Sequence, residues 1–222
     1  MANIVIEWYG LSCLKITAKQ TVGEVSVLTD PFGADHGIKM PRAVEADLVL
    51  VTDPAEASEV PDRVGNKPFV VSHPGEYESK GVFVYGFPLS EVEIEGKRSK
   101  PTRPCSFYRI EIDDFSIAHL GCINRQLTDA EYDKLADVDI LILPVGDKGT
   151  ALSAGDAVEI MTRLEPRVVI PTHWKQSGLT DELDTVDRFL KESGLAPERV
   201  ERLKLAKKDL PQDETKLYVL TA

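Results

Sequence analysis

Four positions after a short apolar run are the first place where this chain could carry out chemistry. Residues 48–52 have the length and composition of a buried strand, and a strand end is where side chains can converge on a site. The positions that follow are occupied by Asp53, Ala55, Ala57 and Ser58. A carboxylate can bind a cation or exchange a proton, whereas an alanine side chain has no donor or acceptor. The segment therefore resembles a metal-binding loop from which most ligands are missing.

Four further motifs accompany this loop. They are Asp30-Pro31, Pro-Gly-Glu-Tyr-Glu at 74–78, His-Leu-Gly-Cys at 119–122 and Pro-Thr-His-Trp at 171–174. Together they resemble the metallo-β-lactamase fold, in the branch similar to small metal-dependent hydrolases and the ascorbate-phosphate lactonase. The resemblance runs from residue 4 to about residue 173. It implies an α/β (α+β) fold, a four-layer αββα sandwich, and we expect one domain over residues 1–222.

The resemblance also implies a pair of zinc ions that activate a bridging water. In the family the strand is followed by Thr-His-x-His-x-Asp-His, and a further His, a bridging Asp and a last His complete the ligands. Here Asp53, Ala55, Ala57 and Ser58 occupy the four motif positions. No histidine lies between residues 73 and 119 to supply the further ligand. We therefore expect the first metal site to be absent.

Three residues remain as a vestigial metal site under the same resemblance. Cys122 replaces the bridging Asp, His173 matches the last His, and Asp53 occupies the first motif position. A thiolate is a good zinc ligand at about 2.3 Å, but catalytic zinc usually has three protein ligands and structural zinc has four. His36 or His73 could supply a new ligand. Without such a ligand, His173 is expected to be a hydrogen-bonded structural residue.

Composition excludes several classes of partner. Lys and Arg total 26 against 37 Asp and Glu, so the net charge of -11 disfavours nucleic acid and anionic lipid. The basic segment 97–103 is expected to be a solvated loop. No apolar run approaches the ~20 residues of a spanning helix, and residues 1–10 lack a signal-peptide pattern. We predict a cytoplasmic protein that binds neither nucleic acid nor membrane.

The three cysteines lead to a separate prediction. Cys13, Cys105 and Cys122 are odd in number and widely spaced in a mid-sized chain. This pattern argues against a disulfide framework and predicts reduced thiols.

Strand patterns dominate the first half of the chain, and strands alternate with helices in the second. Helices are predicted from Thr128, over residues 153–164 and over residues 183–190, and two long loops at 32–44 and 90–106 are expected to be functional or mobile. Strands are predicted at residues 4–8, 14–17, 25–29, 48–52, 69–72, 82–86, 107–112, 115–120, 139–143, 168–171, 200–205 and 216–220.

Two functions follow from a retained scaffold with altered ligand positions. The first is a catalytically degenerate member of the fold that works without a cofactor as a binding, scaffold or assembly component, through a protein partner or self-association. The alternative is a metal-dependent hydrolase of an ester, lactone or phosphoester. It would use a rearranged single-metal site of Cys122, His173 and Asp53, with zinc as cofactor. Metal analysis of the purified protein discriminates between them.

Overall fold

Two β-sheets form the centre of the protein. The computed structural model describes residues 3–20, 23–94, 97–99 and 103–222. The first sheet contains β1 (Asn3–Gly10), β2 (Cys13–Gln20), β3 (Gly23–Thr29), β4 (Leu48–Leu50), β5 (Phe69–Val71) and β15 (Arg202–Ala206). The second contains β6 (Gly75–Ser79), β7 (Val82–Pro88), β10 (Ser106–Ile112), β11 (Phe115–His119), β12 (Ile140–Pro144), β13 (Val168–Thr172), β14 (Pro197–Val200) and β16 (Lys216–Leu220). The strand order is β15-β1-β2-β3-β4-β5 in the first sheet and β14-β16-β13-β12-β11-β10-β7-β6 in the second. A separate hairpin pairs β8 (Val92–Ile94) with β9 (Lys97–Ser99).

Strand direction changes within each sheet. β1, β2 and β3 pair antiparallel, whereas β3, β4 and β5 run parallel. In the other sheet β11, β12 and β13 are parallel, and every residue of β12 and β13 is buried. Continuous apolar runs are typical of parallel strands that are covered on both faces. The parallel strands deliver their carboxyl ends to one rim of the sandwich.

Helices cover the outer face of the eight-stranded sheet. They are α2 (Asp129–Lys134), α3 (Ala154–Leu164) and α4 (Val186–Ser193). Thr128 and Glu131 form the predicted capping box, and the Ser153 hydroxyl caps α3. On the six-stranded sheet the outer layer contains the short helix α1 (Val60–Arg63) and 3-10 helices at Ala34–His36 and Pro54–Glu59. The predicted αββα sandwich is confirmed.

The main core lies between the two sheets. It includes Ile4, Ile6 and Leu14 from one sheet and Tyr108 and Ile110 from the other, all with no exposed surface. The Tyr108 hydroxyl donates to the Val51 carbonyl at 2.8 Å, so the buried oxygen is satisfied and the two sheets are joined at the end of β4.

Two glycines allow close approach of segments at the rim. Gly121, with φ 49°, lies after β11, and a Cβ there would overlap the Thr52 side chain. A Cβ at Gly146 would overlap the carbonyl oxygen of His173. These positions let the ends of β4, β11, β12 and β13 meet without side chains between their backbones.

The prediction of reduced thiols is wrong for two cysteines. Cys105 and Cys122 form a disulfide with a Cα–Cα distance of 6.1 Å, and Cys13 is free and buried. The cysteines flank the antiparallel hairpin of β10 and β11, whose pairing brings the two ends together despite 17 residues of separation. Spacing along the chain does not reveal that pairing.

Some elements depart from the sequence patterns. β6 and β14 are missed, because both are edge strands of mainly exposed or half-buried residues and carry no apolar run. The third helix begins at Val186, three residues later than predicted, and ends before Gly194 as expected. Parts of the segments 90–106 and 97–103 lie outside the described residues, at 95–96 and 100–102. Among the described helices, none is long and apolar enough to cross a membrane.

Candidate functional site

A small cavity lies at the rim where several strands end. Its volume is ≈ 80 Å³, which is roughly the space of two to three waters at ~30 Å³ each. The cavity brings together the three predicted site residues Asp53, Cys122 and His173. The residues that line it are Leu11, Ser12, Asp30, Pro31, Phe32, His36, Thr52, Asp53, Glu56, Arg103, Cys122 and His173.

Three residues that line the cavity have a left-handed backbone. Leu11, Asp30 and His173 have φ values of 47°, 40° and 52°. Such conformations are unfavourable for residues other than glycine, by about 1–3 kcal/mol each, and they cluster at functional sites when surrounding contacts fix them. One fixing contact is the His173 backbone N–H, which donates to the Leu11 carbonyl at 2.9 Å. The backbone geometry therefore supports this rim as the candidate site.

Asp30 joins two of the strand ends. Its Oδ1 accepts from the Thr52 N–H at 2.7 Å and from the Thr52 hydroxyl at 2.9 Å. Its Oδ2 lies 2.8 Å from Nε2 of His119, which is fully buried. Both carboxylate oxygens are thus engaged by protein groups, and they hold β3, β4 and β11 together. In the sequence, Asp30 was identified only as part of the Asp30-Pro31 motif.

Asp53 is held in a similar way. Its Oδ1 accepts from the Ala55 N–H at 3.0 Å, which caps the 3-10 helix Pro54–Glu59. Its Oδ2 lies 3.2 Å from Nε of Arg103, in an ion pair whose carboxylate is 10% exposed and whose guanidinium is 44% exposed. Arg103 lies in the basic segment 97–103 that was expected to be a solvated loop; it is an exposed loop residue as expected, whereas Lys97–Ser99 of the same segment forms β9. The ion pair joins positions 50 residues apart, and no motif indicated it.

The chain that follows Arg103 is fixed to the cavity. Ser106 donates its N–H to the Thr52 carbonyl at 2.8 Å, and the Cys105–Cys122 disulfide ties the segment to the end of β11. The disulfide also changes the chemistry predicted for Cys122, because a disulfide sulfur is not the thiolate that binds zinc.

His173 is a neutral imidazole at physiological pH. Burial, together with the nearby positive charge of Arg103, lowers its pKa to about 4. Its Nδ1 lies 3.3 Å from Oγ of Ser12, whose hydroxyl also has the Gly121 carbonyl as an acceptor at 3.3 Å. The expectation of a retained, hydrogen-bonded His173 agrees with this geometry.

His36 forms the second imidazole of the cavity. Its Nδ1 lies 2.6 Å from Oδ2 of Asp181, and its carbonyl accepts from the Thr180 N–H at 2.8 Å. The aromatic edge contact with Phe32, at 6.0 Å between ring centroids, further limits the ring. Asp181 is 145 residues away in sequence, and no motif indicated this pair. His73, the other candidate ligand, is exposed and is not among the residues that line the cavity.

These side chains do not fit the zinc ligand set that the resemblance implies. Asp30 is bonded to His119 and Thr52, Asp53 to Arg103, and Glu56 to Arg63 at 3.1 Å. The motif positions Ala55 and Ala57 offer no ligand atoms, and the side chain of Ser58 lies outside the described residues. In the part of the chain that the structure describes, no group of three or more His, Cys, Asp or Glu could hold a metal ion.

Comparisons of sequence place this chain in a family. A family model described as "Beta-lactamase superfamily domain" matches residues 5–173. A "UPF0173 protein" of Pyrococcus abyssi is 28% identical over 192 residues, with 78% of this chain and 84% of that protein covered. A "UPF0173 metal-dependent hydrolase" of Methanosarcina mazei is 25% identical over 201 residues, with the same coverage.

Solved structures agree with the fold. One from Thermotoga maritima, described as a Zn-dependent hydrolase of the metallo-β-lactamase superfamily, gives a TM-score of 0.77 at 28% identity and covers 98% of both chains. A metallo hydrolase from Ignicoccus hospitalis gives a TM-score of 0.65 at 17% identity, with 92% of this chain and 99% of that chain covered. The second likeness shows the fold alone.

Proposed function

The chain belongs to the β-lactamase superfamily, and on that premise we propose that it is a hydrolase of a small ester, lactone or phosphoester. The cavity that contains Asp53, His36 and His173 is the proposed active site. The observation that carries the proposal is the imidazole–carboxylate pair of His36 and Asp181 at this cavity. Such a pair is suited to activate water.

The prediction of a catalytically degenerate binding or scaffold component is wrong. It rested on the replaced ligand positions, but the relatives that match most of the chain include a protein named as a metal-dependent hydrolase. The Thermotoga maritima structure, similar over nearly the whole chain, is described as a Zn-dependent hydrolase. Replacement of the metal-ligand positions alone therefore does not show that the catalytic activity is lost. The names of these relatives support the alternative that we considered, a hydrolase.

His36 is the proposed general base. With Nδ1–H donated to Asp181, the lone pair of Nε2 can accept a proton from water. The water oxygen then forms a bond to the acyl carbon or phosphorus, and the bond to the leaving oxygen breaks as that oxygen gains a proton. A correctly placed general base contributes typically 10²–10⁴-fold to the rate. Asp181 is a positioning residue, since it fixes the ring and its tautomer.

Ser12 and His173 are proposed to orient the substrate. The neutral imidazole and the hydroxyl offer hydrogen-bonding groups to the cavity, which the apolar side chains of Leu11 and Phe32 also line. A base whose pKa is about 4 accepts protons poorly at pH 7, so we assign His173 to substrate binding rather than to the activation of water.

Metal dependence in the names of the relatives is a property of those proteins. For this chain, the proposed single-metal site of Cys122, His173 and Asp53 would need the disulfide reduced and the Asp53–Arg103 ion pair broken. We therefore derive no step through zinc. The cytoplasmic location, the protein partner and self-association stay predictions.

Product formation tests the proposal. Purified protein is incubated with p-nitrophenyl acetate, p-nitrophenyl phosphate, bis-p-nitrophenyl phosphate and a γ-lactone, each with chelator, with zinc and with manganese. We expect turnover of at least one probe, and His36→Gln should lower its kcat by about 10²–10³-fold with unchanged folding. The matched control is His73→Asn, which removes an exposed imidazole outside the cavity. Absence of turnover of every probe under all three conditions would contradict the proposal.

A further inference from the structure

We infer that Arg103 provides the cationic position of this site in place of a metal ion, and that it binds an anionic group, carboxylate or phosphate, on the substrate. The inference deepens the proposed function and rests on it, because it names the substrate class of the same cavity.

The first reason for this inference is the position of Arg103. Asp53 occupies the first position of the family's ligand motif, and its Oδ2 faces Nε of Arg103 at 3.2 Å. A guanidinium thus neutralises the carboxylate where the resemblance implies a zinc ligand. The backbone close to Arg103 is held at the cavity, since Cys105 and Ser106, two and three residues further along the chain, are bound by the disulfide and by the hydrogen bond to Thr52.

The second reason is the set of charged side chains that line the cavity. Among the described residues that line the cavity, Arg103 is the one Lys or Arg. Its charge lowers the pKa of His173, after the larger effect of burial, and His173 lines the same cavity. The lining also contains the carboxylates of Asp30, Asp53 and Glu56, and each lies against protein groups: Asp30 against Thr52 and His119, Glu56 against Arg63, and Asp53 against Arg103 itself. Arg103 is therefore the group of the lining that attracts an anion, in competition with Asp53.

The third reason is the hydrogen-bonding geometry of the Arg103 guanidinium and of a carboxylate or phosphate anion. A guanidinium has five N–H donors in a planar fork that matches carboxylate and phosphate oxygens. The contact with Asp53 uses Nε, and an anion in the cavity can compete for the guanidinium with that carboxylate. A cavity of ≈ 80 Å³ suits a small anionic group such as acetate or phosphate.

Anion binding without turnover tests the inference separately from the hydrolase proposal. Protein treated with chelator is titrated at pH 7.5 and low salt with inorganic phosphate and, in a second series, with acetate, by calorimetry. The variants are Arg103→Gln, Arg103→Lys, Asp53→Asn and the control Arg202→Gln. Arg202 lies on β15, is exposed and pairs with Glu7 of β1. Its replacement removes the same positive charge at a position outside the cavity. Circular dichroism verifies that each variant is folded.

The expected result is a pattern across the variants. Arg103→Gln should weaken binding by at least about ten-fold, and Arg103→Lys by less, because lysine keeps the charge without the fork. Asp53→Asn should tighten binding several-fold, since it removes the competing carboxylate and keeps a side chain that can cap the 3-10 helix. Arg202→Gln should bind as the wild type does. The tighter of the two probes identifies a phosphate-bearing or a carboxylate-bearing substrate.

Two outcomes would overturn the inference. One is equal binding by folded Arg103→Gln and wild type, and the other is weaker binding by Asp53→Asn. If the predicted pattern appears while no ester, lactone or phosphoester is hydrolysed, the hydrolase proposal fails and the anion site stands.

Discussion

Replacement of His173 by Asn should reduce the loss of stability that the protein shows in mild acid. An imidazole has a pKa of about 6.5 in the unfolded chain, whereas burial lowers the pKa of folded His173 to about 4. As pH falls below about 6.5, the unfolded state binds a proton that folded His173 does not, so folding becomes less favourable until pH reaches about 4. Asparagine places an oxygen near the position of Nδ1, tolerates positive φ and does not titrate.

The linkage relation gives the magnitude. Between pH 7.5 and pH 5.5, a shift of this size removes about 1.4 kcal/mol of the free energy of unfolding. The measurement is urea unfolding of wild type, His173→Asn and the control His73→Asn at both pH values. His173→Asn should lose about 1.4 kcal/mol less than wild type over this interval, while His73→Asn, which removes an exposed imidazole, should behave as wild type. Equal losses in wild type and His173→Asn would refute a His173 that stays neutral in the folded protein at pH 5.5.

Two further predictions concern the framework of the site. Replacement of Cys105 and Cys122 by Ser should lower the free energy of unfolding by about 3 kcal/mol, given their separation of 17 residues. It should also weaken phosphate binding by releasing Arg103, and unchanged calorimetric affinity would contradict that positioning role. Gly121→Ala should cost at least about 2 kcal/mol in urea unfolding, because Cβ would overlap Thr52 at a positive φ. Gly149→Ala, also at positive φ but with no atom near the added Cβ, should cost only about 1 kcal/mol, and equal costs would argue against the close contact.

Local patterns predicted the elements that bury apolar side chains or cap helices. The fully buried strands Ile140–Pro144 and Val168–Thr172 appear as apolar runs, and Thr128 with Glu131 marks the start of α2. The edge strand Gly75–Ser79 forms through backbone pairing with β7, so its polar side chains gave no pattern. Resemblance of motifs, rather than periodicity, placed Asp53, Cys122 and His173 at one rim.

The chemistry of the site depends on contacts that are distant in sequence. Arg103 reaches Asp53, His36 reaches Asp181, and Cys105 reaches Cys122 only after the strands have paired. The sequence shows that the family's metal-ligand positions are replaced, but it does not show which side chains lie next to those positions in the folded protein. For that reason the sequence predicted a protein without catalytic activity. The polar side chains that meet at the cavity are evident only in the folded chain.

One measurement tests the central claim that side chains of this cavity perform hydrolysis. The value of kcat/KM is determined, in metal-stripped protein with chelator present, for wild type, His36→Gln and Asp181→Asn on the best hydrolysed probe. We predict turnover by wild type without metal, a fall of about 10²–10³-fold in His36→Gln, and a smaller fall in Asp181→Asn, since Asp181 acts by positioning. Turnover that requires added zinc and is unaffected by His36→Gln would contradict the account.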